Sequence, residues 1–187
     1  MEGIPRIWIR KISTLLFACH PDGICKPEDF MIKADRIIKS ANLRGHAADT
    51  VVDIFRGFGD GIENLSISRT WSTRILDCWR ILRNPTLIDC HKELFANMFK
   101  ALDFNSDGFI QFSEYIHWWK AFDLDPSLAR IQFDYMDTDY DGEISEKEFV
   151  DAGMDYFFNF TDGNTKNRFY GPLIFELTFM CNVRSRY

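Results

Sequence analysis

The chain has 187 residues and a formal net charge of −6, with 46% hydrophobic and 16% aromatic residues. This length is enough for one large domain or two small packed ones, and the acidic balance disfavours a general affinity for nucleic acid. No segment approaches the roughly 18 uncharged apolar residues of a membrane-spanning helix, so no membrane span is expected.

The first predicted element is an amphipathic helix over residues 5–17. Pro5 opens it, and Trp8, Ile12 and Leu16 fall on one face. Spacings of three and four residues let a helix bury one side against a core. We therefore expect this helix to pack on the rest of the chain.

The segment that follows, residues 18–29, keeps part of a calcium-loop pattern. Such a loop has twelve residues, with oxygen ligands at positions 1, 3, 5, 7, 9 and 12 and Gly at position 6. Gly23 and Asp29 stand at positions 6 and 12, but Ala18 and His20 occupy positions 1 and 3. With these ligands lost, the segment is predicted to bind no calcium.

A second, fainter loop is expected at 60–71. Predicted helices from about Phe30 to Ser40, and through Val51 and Phe55, lead up to it. Its sixth position is Leu65 rather than Gly. We interpret it as a structural loop without an ion.

The complete pattern then occurs twice, 34 residues apart, at 103–114 and 137–148. Two full matches at such a spacing make a chance occurrence very improbable and indicate a pair of EF-hand calcium loops. Position 7 is expected to contribute its main-chain carbonyl, from Phe109 in the first copy and Glu143 in the second. The predicted side-chain ligands are Asp103, Asn105, Asp107, Gln111 and Glu114 in the first copy, and Asp137, Asp139, Asp141, Ser145 and Glu148 in the second.

The spacing follows from the coordination chemistry of calcium, a hard cation that takes about six to eight oxygens. Gly108 and Gly142 stand where the loop must turn through a left-handed conformation.

Ile110 and Ile144, at position 8, are expected to pair across two short antiparallel strands. Ser145 is predicted to cap the following helix and to serve as a water-mediated ligand. The second copy has one carboxylate more than the first and is expected to bind calcium more tightly.

The chain after the last loop departs from this pattern. Residues 173–183 are strongly apolar but too short to cross a membrane. They are expected to fold back over the helices as a plug, with a partner-binding arm as the alternative. The five cysteines lack zinc-site spacing and are odd in number, which favours a reducing compartment and a cytoplasmic location.

Together these features predict an all-α protein of four EF-hand helix-loop-helix units in two packed pairs, joined by short loop-pairing strands. The expected domains are an N-terminal pair at 1–85, a C-terminal pair at 86–156 and a tail at 157–187.

The layout resembles the invertebrate sarcoplasmic calcium-binding protein family, with its relatives calexcitin and the luciferin-binding proteins. The matching features are Asp22-Gly23, the intact loops 103–114 and 137–148, and the segment Asn167–Leu173. The resemblance implies a compact two-lobed helical protein that buffers calcium or couples it to a bound ligand. The first loop, often active in that family, has lost the ligands at positions 1 and 3 here, and the tail beyond Leu173 is longer.

The predicted function is a cytosolic calcium buffer that binds two Ca²⁺ ions in the C-terminal pair, with Mg²⁺ expected to compete. Six Met residues do not cluster, whereas Phe and Trp dominate, which favours a core that opens little. No nucleophile constellation, phosphate loop or zinc pattern indicates catalysis. Two alternatives stay open: a calcium sensor or scaffold that controls a protein partner, and a carrier of an apolar small ligand in an aromatic cavity.

Overall fold

The computed structural model describes residues 3–64, 71–85, 88–159 and 166–173. Within these ranges the chain forms eight α-helices, one 3-10 helix and two short strands. The elements are α1 (Arg6–Cys19), α2 (Pro27–Ala41), α3 (His46–Asn64), α4 (Trp71–Leu82), α5 (Ile88–Leu102), β1 (Phe109–Gln111), α6 (Phe112–Ala121), the 3-10 helix (Pro126–Leu128), α7 (Ala129–Met136), β2 (Glu143–Ser145) and α8 (Glu146–Phe158).

The helix ends are set by local sequence, as α2 illustrates. Pro27 opens the helix, where its missing N–H removes no hydrogen bond. The carboxylate of Asp29 accepts a hydrogen bond of 2.8 Å from the main-chain nitrogen of Lys26. Asn42 ends the helix in the left-handed conformation, with φ of 53°. The helix therefore ends one residue beyond Ser40, the end predicted from the sequence.

The two strands join the intact loops. β1 and β2 are antiparallel, and Ile110 is paired with Ile144 as the sequence predicts. Both isoleucines are fully buried. The two loops consequently lie side by side, each anchored in the core through its eighth residue.

The second loop does not begin at residue 60 as predicted. Residues 60–64 were expected to begin a loop but form the last turn of α3. No proline stands between His46 and Asn64 that would end the helix earlier. The rest of the predicted loop, 65–70, lies outside the described residues.

One continuous core joins the first four helices to the last four. α2 packs against both α3 and α6, α5 packs against α8, and α1 contacts α4 and α8. The rings of Phe55 on α3 and Trp118 on α6 lie 6.3 Å apart at this junction. The predicted all-α class is confirmed, and no helix of the described chain is both long and apolar enough to cross a membrane.

Residues 166–173 pack onto the C-terminal helices. Asn167 is fully buried, and its side-chain amide donates to the carbonyl oxygen of Ala152 at 2.7 Å. Phe169 is buried against Phe95 and Phe149, with ring centroids at 5.4 and 5.1 Å. The start of the tail thus closes the core, while the plug or arm expected from residues 174–187 lies outside the described part of the chain.

Candidate metal centre

The loop between α7 and α8 brings three predicted ligands together. Asp137, Asp139 and Asp141 can each place a carboxylate oxygen within 4.8 Å of the other two. In the described ranges this is the one group of three or more acidic, histidine or cysteine side chains that is so closely spaced. Three converging carboxylates form a donor set for a hard divalent cation.

The main chain of this loop is shaped by left-handed residues and by bonds from its own amides. Tyr140 and Gly142 have φ of 62° and 90°. The amide of Gly142 donates to Oδ2 of Asp137 at 3.0 Å, and that of Glu143 donates to Oδ1 of Asp141 at 2.9 Å. Asp137 and Asp141 are thus each held through one carboxylate oxygen, which accepts a hydrogen bond from a main-chain amide. This arrangement orients the side chains before any ion arrives.

The other carboxylate oxygen of Asp137 is suited to bind a cation. Asp137 is 5% exposed, and its Oδ1 is buried without a hydrogen-bond partner. A buried carboxylate oxygen with no partner is energetically unfavourable unless a positive charge faces it. A divalent ion in the loop would remove that penalty.

Glu148, at the twelfth position, is held through both of its oxygens. Oε1 accepts from the main-chain nitrogen of Thr138 at 2.8 Å and from its hydroxyl at 2.7 Å. Oε2 accepts from the main-chain nitrogen of Ser145 at 2.9 Å and from its hydroxyl at 2.8 Å. Burial alone would raise the pKa of Glu148, but these hydrogen bonds outweigh it and lower the pKa to about 2. The carboxylate is therefore ionised at neutral pH.

The predicted helix cap at Ser145 is confirmed. Its hydroxyl accepts a hydrogen bond of 3.3 Å from the main-chain nitrogen of Glu148 while Glu148 bonds back. The cap fixes the start of α8 and with it the closing carboxylate.

The loop 103–114 has the same outline with a looser ligand set. Oδ1 and Oδ2 of Asp103 accept from the amides of Asp107 and Gly108 at 3.1 and 3.0 Å. The side chain of Asn105 donates to Oδ2 of Asp107 at 2.6 Å. Because an amide replaces the third-position carboxylate, two ligands bond to each other, and the acidic groups of this loop do not form a cluster as tight as that of 137–148.

Glu114, at the twelfth position of this loop, accepts hydrogen bonds from main-chain amides alone. Its oxygens accept from the amides of Phe104 and Gln111 at 2.9 and 3.0 Å. Burial, with repulsion from Asp103 and Asp107, outweighs these two bonds and raises the pKa of Glu114 above its usual value. The two closing glutamates thus stand in different electrostatic settings.

The remaining predicted ligands lie in the strands. Phe109 and Glu143, expected to contribute carbonyl oxygens, are the first residues of β1 and β2 and pair with Ser145 and Gln111. The side chain of Gln111 donates to Oε1 of Glu143 at 3.3 Å, across the ladder. The ninth-position side chain therefore links the two loops in this structure.

Charged side chains of the protein bind the main chain of loop 18–29. Gly23 is left-handed, with φ of 71°, and its carbonyl oxygen accepts from the buried guanidinium of Arg74 at 3.1 Å. The ammonium of Lys33 donates to the carbonyl oxygen of Cys19 at 2.9 Å. His20, which replaces a ligand, bonds to Asp22 at 2.6 Å instead. Two cationic side chains thus bind carbonyl oxygens of this loop, and its lack of a calcium ion stays a prediction.

Three of these contributors were not anticipated. Arg74 reaches the first loop from α4, 51 positions away from Gly23, and Lys33 folds back to it from α2, the helix that follows the loop. No sequence pattern predicts either contact. Thr138 was recognisable, since it stands next to the first ligand with a hydroxyl that can reach the closing carboxylate.

An apolar cavity of about 390 Å³ lies between the helices, away from the intact loops. The polar groups on its wall are few and include three thiols, His91 and Tyr170. Burial raises the pKa of Tyr170, so its hydroxyl stays neutral. The apolar part of the wall includes Ile12, Leu16, Phe55, Leu82, Trp118 and Phe157.

Comparison with known proteins supports this description of the loops. A family model for the EF-hand domain pair matches residues 92–152, which contain both intact loops. The chain is 30% identical over 176 residues to the sarcoplasmic calcium-binding protein of Hediste diversicolor, covering 90% of this chain and 99% of that protein. It is 23% identical over 169 residues to the luciferin-binding protein of Renilla reniformis, covering 82% and 86%.

The fold is also similar to a solved structure. The coelenterazine-binding protein of Renilla muelleri, in its calcium-loaded apo form, aligns with a TM-score of 0.76 and 23% identity. The alignment covers 91% of this chain and all of that one.

Proposed function

The chain belongs to the sarcoplasmic calcium-binding protein family of EF-hand proteins, and from this premise we propose that it is a cytoplasmic calcium buffer with two ion sites. Its relatives are calcium-binding and luciferin-binding proteins rather than enzymes. The observation that carries the proposal is the unpartnered buried oxygen of Asp137 within a cluster of three carboxylates.

The two proposed sites are the paired loops, within a proposed C-terminal pair at 86–156 that follows an N-terminal pair at 1–85. When bound, the calcium ions would neutralise the converging carboxylates and order both loops. The proposed ligands are Asp103, Asn105, Asp107, Phe109, Gln111 and Glu114 in one loop, and Asp137, Asp139, Asp141, Glu143, Ser145 and Glu148 in the other.

A buffer rather than a sensor is supported by how α8 is tied to α1. The ammonium of Lys11, fully buried, donates to the carbonyl oxygen of Asn159 at 2.7 Å. In return the hydroxyl of Tyr156 donates to the carbonyl oxygen of Lys11 at 2.8 Å. Sensors open by changing the angle between the two helices that flank a loop, and α8 is one of the two helices that flank loop 137–148. These buried bonds oppose that motion.

Calorimetric titration of the metal-free protein with calcium, with and without millimolar magnesium, tests the proposal. We expect two ions per chain and weaker apparent calcium binding when magnesium competes. Glu114→Gln and Glu148→Gln should each remove one site. A stoichiometry of three or more, or uptake unaffected by both substitutions, would contradict it.

A second candidate function is calcium-linked carriage of an apolar small molecule, favoured by the cavity of about 390 Å³. Because Trp118 lines this cavity, a bound ligand should quench tryptophan fluorescence. The probe is coelenterazine, for which the Renilla muelleri relative is named. Saturable quenching that is lost in Leu16→Phe, which narrows the cavity, but kept in the surface control Ile131→Phe would support carriage. Unsaturable or equal quenching in both variants would refute it.

A further inference from the structure

We propose that Thr138, at the second position of loop 137–148, is a positioning residue that makes this loop prefer calcium to magnesium more strongly than loop 103–114 does. The inference rests on the proposed function, since it requires both loops to hold divalent ions. Its starting point is the pair of bonds, 2.8 and 2.7 Å, that Thr138 donates to one oxygen of Glu148.

The other oxygen of Glu148 is held with equal completeness. Ser145 donates to it from the main-chain nitrogen and the hydroxyl. Each carboxylate oxygen therefore accepts two hydrogen bonds. Hydrogen bonds to a charged acceptor are stronger than those between neutral groups, so the plane of this carboxylate is well fixed.

Loop 103–114 lacks the corresponding hydroxyl. Phe104 stands at its second position, and Glu114 receives one main-chain bond at each oxygen. The side chain of Gln111 donates to Glu143 across the strands instead of to Glu114. The carboxylate of Glu114 thus has half as many donors as that of Glu148.

This difference matters because the two ions require different things of the closing glutamate. Calcium takes about six to eight oxygens, with both oxygens of the twelfth residue among them. Magnesium is smaller and accepts only about six ligands in a near-ideal octahedron. To suit magnesium the carboxylate must turn and withdraw one oxygen. In loop 137–148 that turn disrupts two bonds at the oxygen that moves, whereas in loop 103–114 it disrupts one.

The test isolates loop 137–148 in a Glu114→Gln parent and measures calcium and magnesium affinities by calorimetry. Adding Thr138→Val, which keeps the shape but removes the hydroxyl, should weaken calcium binding roughly three- to tenfold. Magnesium affinity should change less than about twofold, since that bond is already disturbed in the magnesium-bound state. Thr138→Ser should restore the parent's ratio of calcium to magnesium affinity.

A reciprocal experiment isolates loop 103–114 in a Glu148→Gln parent and adds Phe104→Thr. The new hydroxyl should raise the ratio of calcium to magnesium affinity by about threefold. This arm tests the inference even if Thr138→Val perturbs folding, which circular dichroism and thermal melting of the metal-free variants will show.

The outcomes separate the inference from the function it rests on. Equal losses for both ions in Thr138→Val, a serine variant that behaves like the valine variant, or no gain from Phe104→Thr would overturn the role of Thr138 alone. Failure of the Glu114→Gln parent to take up any calcium would overturn the proposed function, and this inference with it.

Discussion

The hydroxyl of Tyr156, near the end of α8, donates a hydrogen bond of 2.8 Å to the main-chain carbonyl oxygen of Lys11 in the middle of α1. The two residues are 145 positions apart in the sequence, and both are fully buried. The bond therefore joins α8, the helix that begins at loop 137–148, to α1. Its surroundings exclude water, which could otherwise replace it.

Tyr156→Phe should lower the free energy of unfolding by about 1–2 kcal/mol, because it leaves the buried carbonyl oxygen of Lys11 without this donor. Urea denaturation of the metal-free protein measures the change. The matched control is Tyr140→Phe, since Tyr140 is 85% exposed and should tolerate the substitution with little effect. Equal effects at the two positions would contradict the structural role of this bond.

Gly153→Ala should destabilise the protein by roughly 1–3 kcal/mol despite the better helix propensity of alanine. A Cβ at this position would lie 2.5 Å from the ring of Phe95, which is fully buried and has no room to move. Gly57→Ala, in α3, is the control, because no atom beyond its chain neighbours and the helix's own backbone lies within 4 Å of the added carbon.

Gly57→Ala is expected to raise stability by about 0.5–1 kcal/mol, which is the propensity difference alone. Thermal melting of both variants gives the comparison. A stabilised Gly153→Ala variant would show that α5 and α8 are less closely packed than described.

Asn167→Ala should cost about 2–4 kcal/mol of stability. The Asn167 side chain donates to the carbonyl oxygen of Ala152 and to Asp155, and accepts from Gln132 and from the amide of Phe169. Its loss leaves several buried groups unpaired.

The half-buried Asn97, on α5, offers a control for the Asn167 substitution, with Asn97→Ala expected to change stability by less than about 0.5 kcal/mol. Denaturant unfolding at neutral pH gives the free energies of unfolding of the two variants for comparison. If Asn167→Ala proved as harmless, the packing of residues 166–173 on α8 would contribute little to the fold.

The stability of the metal-free protein should depend on pH through Glu148. Its pKa falls from 4.5 in the unfolded chain to about 2 in the folded one, so its contribution is present above pH 4.5 and is lost as the pH falls toward 2. The pKa of Glu114 is raised, so its contribution has the opposite sign and favours the folded state when protonated.

To isolate the contribution of Glu148, the unfolding free energies of the wild type and Glu148→Gln are compared at pH 6 and pH 3. The advantage of the wild type should shrink at the lower pH. The exposed Glu146→Gln serves as the control. A difference that stayed constant with pH would contradict the ionised, hydrogen-bonded state of Glu148.

Much of the loop region was predictable from sequence because its determinants are local. The pairing of Ile110 with Ile144 and the cap at Ser145 follow from fixed positions within the twelve-residue pattern. The end of α3 was not predicted correctly. The helix continues to Asn64, and no proline within it marks an earlier end. The contact between Arg74 and Gly23 was equally inaccessible, because it depends on how two distant segments pack.

The short ladder between β1 and β2 affects how the two loops would bind their ions one after the other. Ile110 and Ile144 face each other in one pair of strands, so neither loop can reorder without straining the other. A first ion that orders one loop also restricts its neighbour, and the neighbour then loses less conformational entropy when its own ion arrives. We therefore expect positive cooperativity, with a Hill coefficient above one, and a calcium response steeper than that of two independent sites.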